Sequence, residues 1–229
     1  PTDADDEVRR LFPNDAPVSF MGRDLPDHGE LWSQPWQVVT ATHERVSLRY
    51  TCRTVPADVE KTITLRDGTV DISYRVRNLD VKELLFLLKL HPAIAVRPGD
   101  QLLLPGGTVE PVDLQFSRIL TSPGPFRWPT ATDSEGRSVD LSRVPPGGTA
   151  REFVYVRDLP EGWCGVRDGQ TGRQLRIQFP LGVFPYCWLF MTYGGWRGHF
   201  VVVLEPCTNI PKDLMEAARL GTCARLELG

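Results

Sequence analysis

Two apolar runs in this sequence end in titratable side chains. Val201-Val-Val-Leu204 leads into Glu205 and Pro206, and Leu84 to Leu88 leads into Lys89, Leu90, His91 and Pro92. A carboxylate at the end of a buried strand is costly to leave alone, so Glu205 should meet a partner or a ligand. His91 is the complementary group, because reference pKa values of about 4.3 for Glu and about 6.5 for His give the two opposite protonation near neutrality. One proton acceptor and one proton donor are the materials of general acid–base chemistry. Lys89 lies two residues before His91, so on a strand it points to the same face and can bind a substrate or pair with a charge. His28 sits in a loop rich in Pro, Asp and Gly, while His43 and His199 have no supporting pattern and read as structural.

The elements that must position these side chains are short strands. Lys61–Arg66 and Thr69–Arg77 alternate apolar and polar residues around Asp67-Gly68, the strongest short hairpin signal, with Ile63, Leu65, Val70, Ile72, Tyr74 and Val76 marking a buried face. Further strands are expected at 36–42, 46–53, 84–90, 101–104, 152–156, 162–168, 175–179, 186–193 and 199–204. One helix is expected within 211–221, with Pro211 near its start, Gly221 past its end, and Leu214, Ala217, Ala218 and Leu220 as its apolar stripe. The segment 120–148, with five prolines, reads as a long loop system that borders a functional cleft rather than joining the core. Many short strands separated by Gly and Pro predict an all-β fold, a large antiparallel β-sandwich with one short C-terminal helix.

Bulk properties narrow the function classes. A chain of 229 residues, 41% hydrophobic, can bury a full core, and one large β domain over residues 1–229 is expected. The net charge of −3, with both signs interspersed, gives no basic stripe for a phosphate backbone, so nucleic acid is not expected as a partner. No apolar run approaches the roughly 20 residues that cross a bilayer, and the first ten residues have no signal-peptide core, so no membrane partner is expected. Cys52, Cys164, Cys187, Cys207 and Cys223 are odd in number and hold no C-x-x-C pair, which reads as free thiols in a reducing cytoplasm. The scattered histidines give no zinc pattern, so no metal is expected.

Three segments, taken in order, resemble the aldose 1-epimerase (galactose mutarotase-like) superfamily. The first is Leu25-Pro-Asp-His-Gly-Glu-Leu-Trp-Ser-Gln-Pro-Trp36, preceded by the Arg10-Leu-Phe-Pro13 turn, and is similar to the family's His-Gly segment followed by a Trp-initiated strand. The second, Val76-Arg-Asn-Leu-Asp80 followed by Phe86-Leu-Leu-Lys-Leu-His-Pro92, resembles a strand, a turn and a strand that delivers His into a sugar pocket. The third is Val203-Leu-Glu-Pro-Cys-Thr208, followed by the helix and Leu226-Glu-Leu-Gly229, and is similar to the family's Glu-bearing strand. The resemblance spans roughly residues 8 to 229, and its specificity lies in the order and spacing of the three segments. Set against it, the chain reads as a family domain without its leading strands. The substrate-binding Arg that the family places before His-Gly has only Arg9 and Arg10 as its nearest counterparts.

The resemblance implies an aldose 1-epimerase that interconverts the α and β anomers of a free sugar, with Glu205 as base at the C1 hydroxyl and His91 as acid at the ring oxygen, on opposite sides of the ring. It implies no cofactor. His28, Lys89, Trp36 and Trp188 are the candidate substrate-binding residues, with Tyr193 a further aromatic near the site, and His28, His91 and Glu205 are expected to converge on one concave face. A hexose-6-phosphate 1-epimerase is the nearest alternative. Against it, Glu30-Leu31-Trp32 stands where an Arg would be useful to a phosphate, although Arg49, Arg53 and Arg97 could supply charge. The other class is a non-catalytic carbohydrate-binding or regulatory protein of the same fold. Glu205 and His91 facing each other across a cleft at a pyranose width would favour catalysis, and burial of either in a salt bridge elsewhere would favour binding.

Overall fold

The computed structural model describes residues 9–228. The chain divides into two compact units, one formed by residues 10–88 and 211–229 and the other centred on residues 89–210. Among the described residues the strands paired within each unit run antiparallel, and the one helix is Leu214–Leu220.

In the first unit a four-stranded meander runs Gln37–Ala41, Arg45–Thr51, Ala57–Arg66 and Thr69–Asn78. The Asp67-Gly68 turn joins the last two, and both of its residues have positive φ, as the two-residue turn requires. Ile63 faces Ile72 and Leu65 faces Val70 across this pair, so the apolar alternation is real. Burial is not uniform along it, because Val59 is fully buried whereas Leu65 and Val70 near the turn are half-exposed. The helix begins at the Asp213 cap, whose side chain accepts the Glu216 amide, and ends at Gly221 in the left-handed conformation. Leu214 and Ala217 are buried as expected. Leu220 is not, since the stripe is only one turn long and Leu220 falls past its edge.

The second unit is a two-layer antiparallel sandwich. Its large sheet runs in the order Lys89–His91, Phe200–Cys207, Tyr186–Tyr193, Ala150–Arg157, Thr108–Pro111 and Phe126–Arg127, with Ala93–Ala95 paired farther along Phe200–Cys207. A smaller sheet of Gln101–Leu103, Trp163–Arg167 and Gln174–Gln178 supplies Leu102, Cys164 and Val166 to a core whose other wall is Val154, Val156, Cys187, Leu189, Met191, Val202 and Leu204. Each of these leucines and valines stabilises the fold by roughly 1.5–3 kcal/mol when fully buried.

The segment 120–148 departs from the expectation of a rim loop. Phe126–Arg127 pairs with Thr108 and Val109, Thr130–Thr132 forms a hairpin with Ser138–Asp140, and Leu120, Ala131, Leu141 and Val144 are buried in the core. The prolines interrupt the strands without keeping the apolar residues between them from the core.

Candidate active site

The strand Phe200–Cys207 explains how one stretch serves both the core and a charged site. Val202 and Leu204 point into the core, so Val203, Glu205 and Cys207 point to the opposite face of the large sheet. The register pairs Ala93 with Val203 and Lys89 with Cys207, which sets His91 directly across from Glu205. On the other flank Trp188 pairs with Glu205 and Tyr155 pairs with Trp188. One row across the sheet therefore reads Glu110, Tyr155, Trp188, Glu205, His91.

Within this unit the carboxylate of Glu205 is ion-paired to one cation and has a histidine near its other oxygen. Lys89 Nζ lies 2.5 Å from Oε2, and His91 Nε2 lies 4.0 Å from Oε1. Glu205 is 1% exposed and Lys89 is 2% exposed. Two charges removed from water need each other, and truncation of either would leave the other buried and uncompensated. Lys89 Nζ also sits 4.2 Å from the centre of the Trp188 ring, a cation–π contact. The Trp188 indole donates through Nε1 to the Asn209 carbonyl at 2.9 Å, which fixes the ring. His91 is the member of the group with a partly open side chain.

The same face continues as an array of rings. Tyr155 lies 4.9 Å and Phe153 6.0 Å from Trp188, Phe190 lies 6.0 Å from Phe153, and Trp196 lies 5.7 Å from Phe190. Phe153, Phe190 and Trp196 are half-buried, whereas Tyr155 and Trp188 are buried. Beyond Tyr155, Arg157 pairs with Glu110 and Asp158. The alternation in 150–157 puts Phe153 and Tyr155 on one face and could have marked them as neighbours of the site.

Of the expected site residues, Glu205, His91, Lys89 and Trp188 come together. Trp188 does not fit an open stacking platform: it is 0% exposed, and the Lys89 ammonium lies over its ring, so it supports the ion pair. Tyr193 is likewise buried, and burial pushes its phenol well above the ordinary range. Burial does the same to the Cys187 thiol, behind Glu205 on the core face. His199 packs its ring 5.5 Å from Trp196, and His43 is exposed.

His28 and Trp36 belong to the other unit. His28 has a positive φ, and its Nδ1 lies 2.9 Å from the Asp27 carboxylate. Trp36 is held by its own unit, with Nε1 donating to the Leu31 carbonyl and Lys61 Nζ 4.4 Å from its ring centre. The His-Gly pair has a structural cause of its own. Gly29 has a φ of 64°, and a Cβ there would run into the Phe12 carbonyl, which accepts the Glu30 amide.

Glu30 is a buried clamp that accepts from Tyr50 Oη, Thr54 Oγ1 and the amides of Arg53 and Thr54. Burial raises its pKa, but the hydrogen bonds from Thr54, Arg53 and Tyr50 outweigh burial and hold the carboxyl below its ordinary range. Of the arginines considered for a phosphate, Arg49 is already paired with Asp58 at 2.8 Å. Arg9 and Arg10 belong to the strand Arg9–Leu11, whose side chains lie outside the described residues. Among the described residues no cluster of three His, Cys, Asp or Glu is placed to hold a metal ion, and no helix is long and apolar enough to cross a membrane.

The architecture places the chain with proteins of the galactose mutarotase-like fold. A candidate aldose 1-epimerase from Escherichia coli K12 is similar over 97% of this chain and 79% of its own, with a TM-score of 0.73 and 18% identity. The Slr1438 protein of Synechocystis sp. PCC 6803 is similar over 96% of this chain and 73% of its own, with a TM-score of 0.71 and 16% identity. A galactose mutarotase-like protein from Lactobacillus casei ATCC 334 has a TM-score of 0.62 and 18% identity over 97% of this chain and 81% of its own. No family model and no curated protein sequence matches the chain. At such identities the likeness establishes a common fold, and function has to be argued from the residues.

Proposed function

We propose that this protein is an aldose 1-epimerase acting on a free sugar, with Glu205 as the base and His91 as the acid. The observation that carries the reading is the placement of Glu205 and His91 opposite each other on neighbouring strands, with Oε1 and Nε2 4.0 Å apart. The two sugar oxygens that exchange protons are both bonded to C1, so one edge of a pyranose presents them side by side. An acid and a base close together on one sheet face can reach both, and the acid and base need not flank the ring. Glu205 takes the proton of the C1 hydroxyl, the C1–O5 bond breaks as C1=O1 forms, and His91 delivers a proton to O5. Rotation about C1–C2 and the reverse transfers close the ring to the other anomer. These steps are proton transfers alone, for which a carboxylate and an imidazole suffice.

A second reading is favoured by a different observation. Glu205 is 1% exposed and ion-paired to Lys89, the arrangement that suits a sugar-binding protein without turnover. Polarimetry over a panel of aldoses and aldose phosphates, run beside a binding measurement for each, separates the two. The catalytic reading expects accelerated mutarotation of at least one sugar. It also expects Glu205→Gln to lose about 100-fold or more in kcat, within the span ordinary for general acid–base groups, with little change in sugar affinity. Sugar binding without acceleration would establish the binding protein, and wild-type turnover in Glu205→Gln would remove Glu205 from catalysis.

A further inference from the structure

We propose that Lys89 is a positioning residue whose ammonium keeps Glu205 ionised and turned toward His91, so that the carboxylate rather than the carboxylic acid meets the sugar. The inference rests on the epimerase reading for its functional meaning, but its physical content concerns the ion pair alone.

The argument begins with the cost of the arrangement. Glu205 sits in the middle of a sheet, and among the described residues the groups beside it within its unit include Lys89, His91, Trp188 and, on the core side of the neighbouring strand, the Cys187 thiol. Burial by itself favours the protonated, neutral acid, a form unable to accept a proton. A cation in direct contact reverses that preference. His91 does not serve as the holding cation, because at 4.0 Å it is beyond hydrogen-bond reach, and a histidine spent on holding the carboxylate could not also donate its proton to the sugar.

Lys89 divides the labour. Its position two residues before His91 puts it on the same face and one diagonal step from Glu205, and its ammonium is ion-paired to Oε2. Oε1 is the carboxylate oxygen nearer His91. The ammonium is itself fixed, since Trp188 lies beneath it at 4.2 Å and is anchored by the Asn209 carbonyl. The chain of contacts from Asn209 through Trp188 and Lys89 thus sets the orientation of the base. A lysine that served to bind sugar would keep its ammonium for the ligand, and here it is spent on the carboxylate.

The test follows the Glu205 carboxyl carbon by NMR, with 13C-glutamate labelling of the whole chain, during acid titration of the wild type, Lys89→Arg and Lys89→Met. In the wild type the carboxyl should remain ionised below the range of ordinary glutamates. In Lys89→Met its midpoint should rise by at least one pH unit, a tenfold gain in proton affinity, and Lys89→Arg should restore the low midpoint. In the epimerase assay the acid limb of kcat/KM should move with that midpoint in Lys89→Met while KM stays unchanged. An unmoved carboxyl midpoint in Lys89→Met would overturn the proposal, as would a raised KM with an unmoved midpoint, which is the signature of a lysine that binds sugar. A wild type that turns over no sugar would remove the epimerase reading, and the titration would still decide the role of Lys89. Should Lys89→Met fail to fold, Lys89→Met combined with Glu205→Gln should fold, because both charges are then gone. A double variant as unfolded as the single one would show that Lys89 serves packing and would refute the positioning role.

Discussion

Replacing Glu30 should expose how much of the first unit hangs on one carboxylate. Glu30 accepts from Tyr50 Oη at 2.8 Å, from Thr54 Oγ1 at 2.6 Å, and from the amides of Arg53 and Thr54 at about 3.0 Å. In Glu30→Ala the two hydroxyls can turn to other acceptors, whereas the two amides lose theirs. An orphaned buried donor costs about 1–3 kcal/mol, so the expected loss is about 3–5 kcal/mol once the cavity is added. For a chain of this size each kcal/mol lowers Tm by about 2–4 °C, which makes a fall of roughly 10 °C. Glu30→Gln keeps an acceptor and should lose only about 1–2 kcal/mol. The Glu30 carboxyl is held below its ordinary range in the folded state, so its charge contributes stability above the unfolded pKa that disappears as pH falls through the folded one. The gap between wild type and Glu30→Gln should therefore close on acidification, beginning at the ordinary glutamate range and running downward. Thermal and urea unfolding at several pH values measure it. A loss under 1 kcal/mol in Glu30→Ala, or a Glu30→Gln gap that does not change with pH, would refute the reasoning. Because Glu30 is a clamp, neither variant should gain preference for a sugar phosphate.

Two further outcomes follow from the second unit. A Cβ at Gly165 would meet the Leu175 carbonyl across the hairpin, so Gly165→Ala should lower stability by about 2–3 kcal/mol and shift the urea midpoint without changing the slope. Burial raises the Glu152 carboxyl against the hydrogen bonds it accepts from the amides of Ile119, Arg118 and Leu120, so the folded state holds its proton more tightly than the unfolded chain. Stability from Glu152 is then lost as pH rises from the ordinary glutamate range toward the folded value. The difference between Glu152→Gln and wild type should move in favour of the variant across that interval and stay constant at lower pH, as thermal unfolding of both at several pH values would show.

The all-β character, the Asp67-Gly68 hairpin, the strand 186–193 and the capped helix were legible in the sequence, because each follows from interactions among residues close along the chain. The same locality marked Glu205 and His91, since an apolar run that ends on a charge is visible without knowing what lies beside it. Where those charges would go was not legible. The pairing of Lys89 with Glu205, the burial of Trp188 beneath an ammonium, and the conversion of Glu30 from a specificity signal into a loop clamp depend on register and on contacts between residues 20 to more than 100 positions apart. The segment 120–148 failed for the same reason. Its prolines report where strands break, while the burial of Leu120, Ala131, Leu141 and Val144 is decided by the opposite sheet layer that they meet. Local sequence sets which elements form and which faces are apolar. Which side chain ends beside which is set by the pairing of strands, where a slip of one residue would send Glu205 into the core and Leu204 to the charged face.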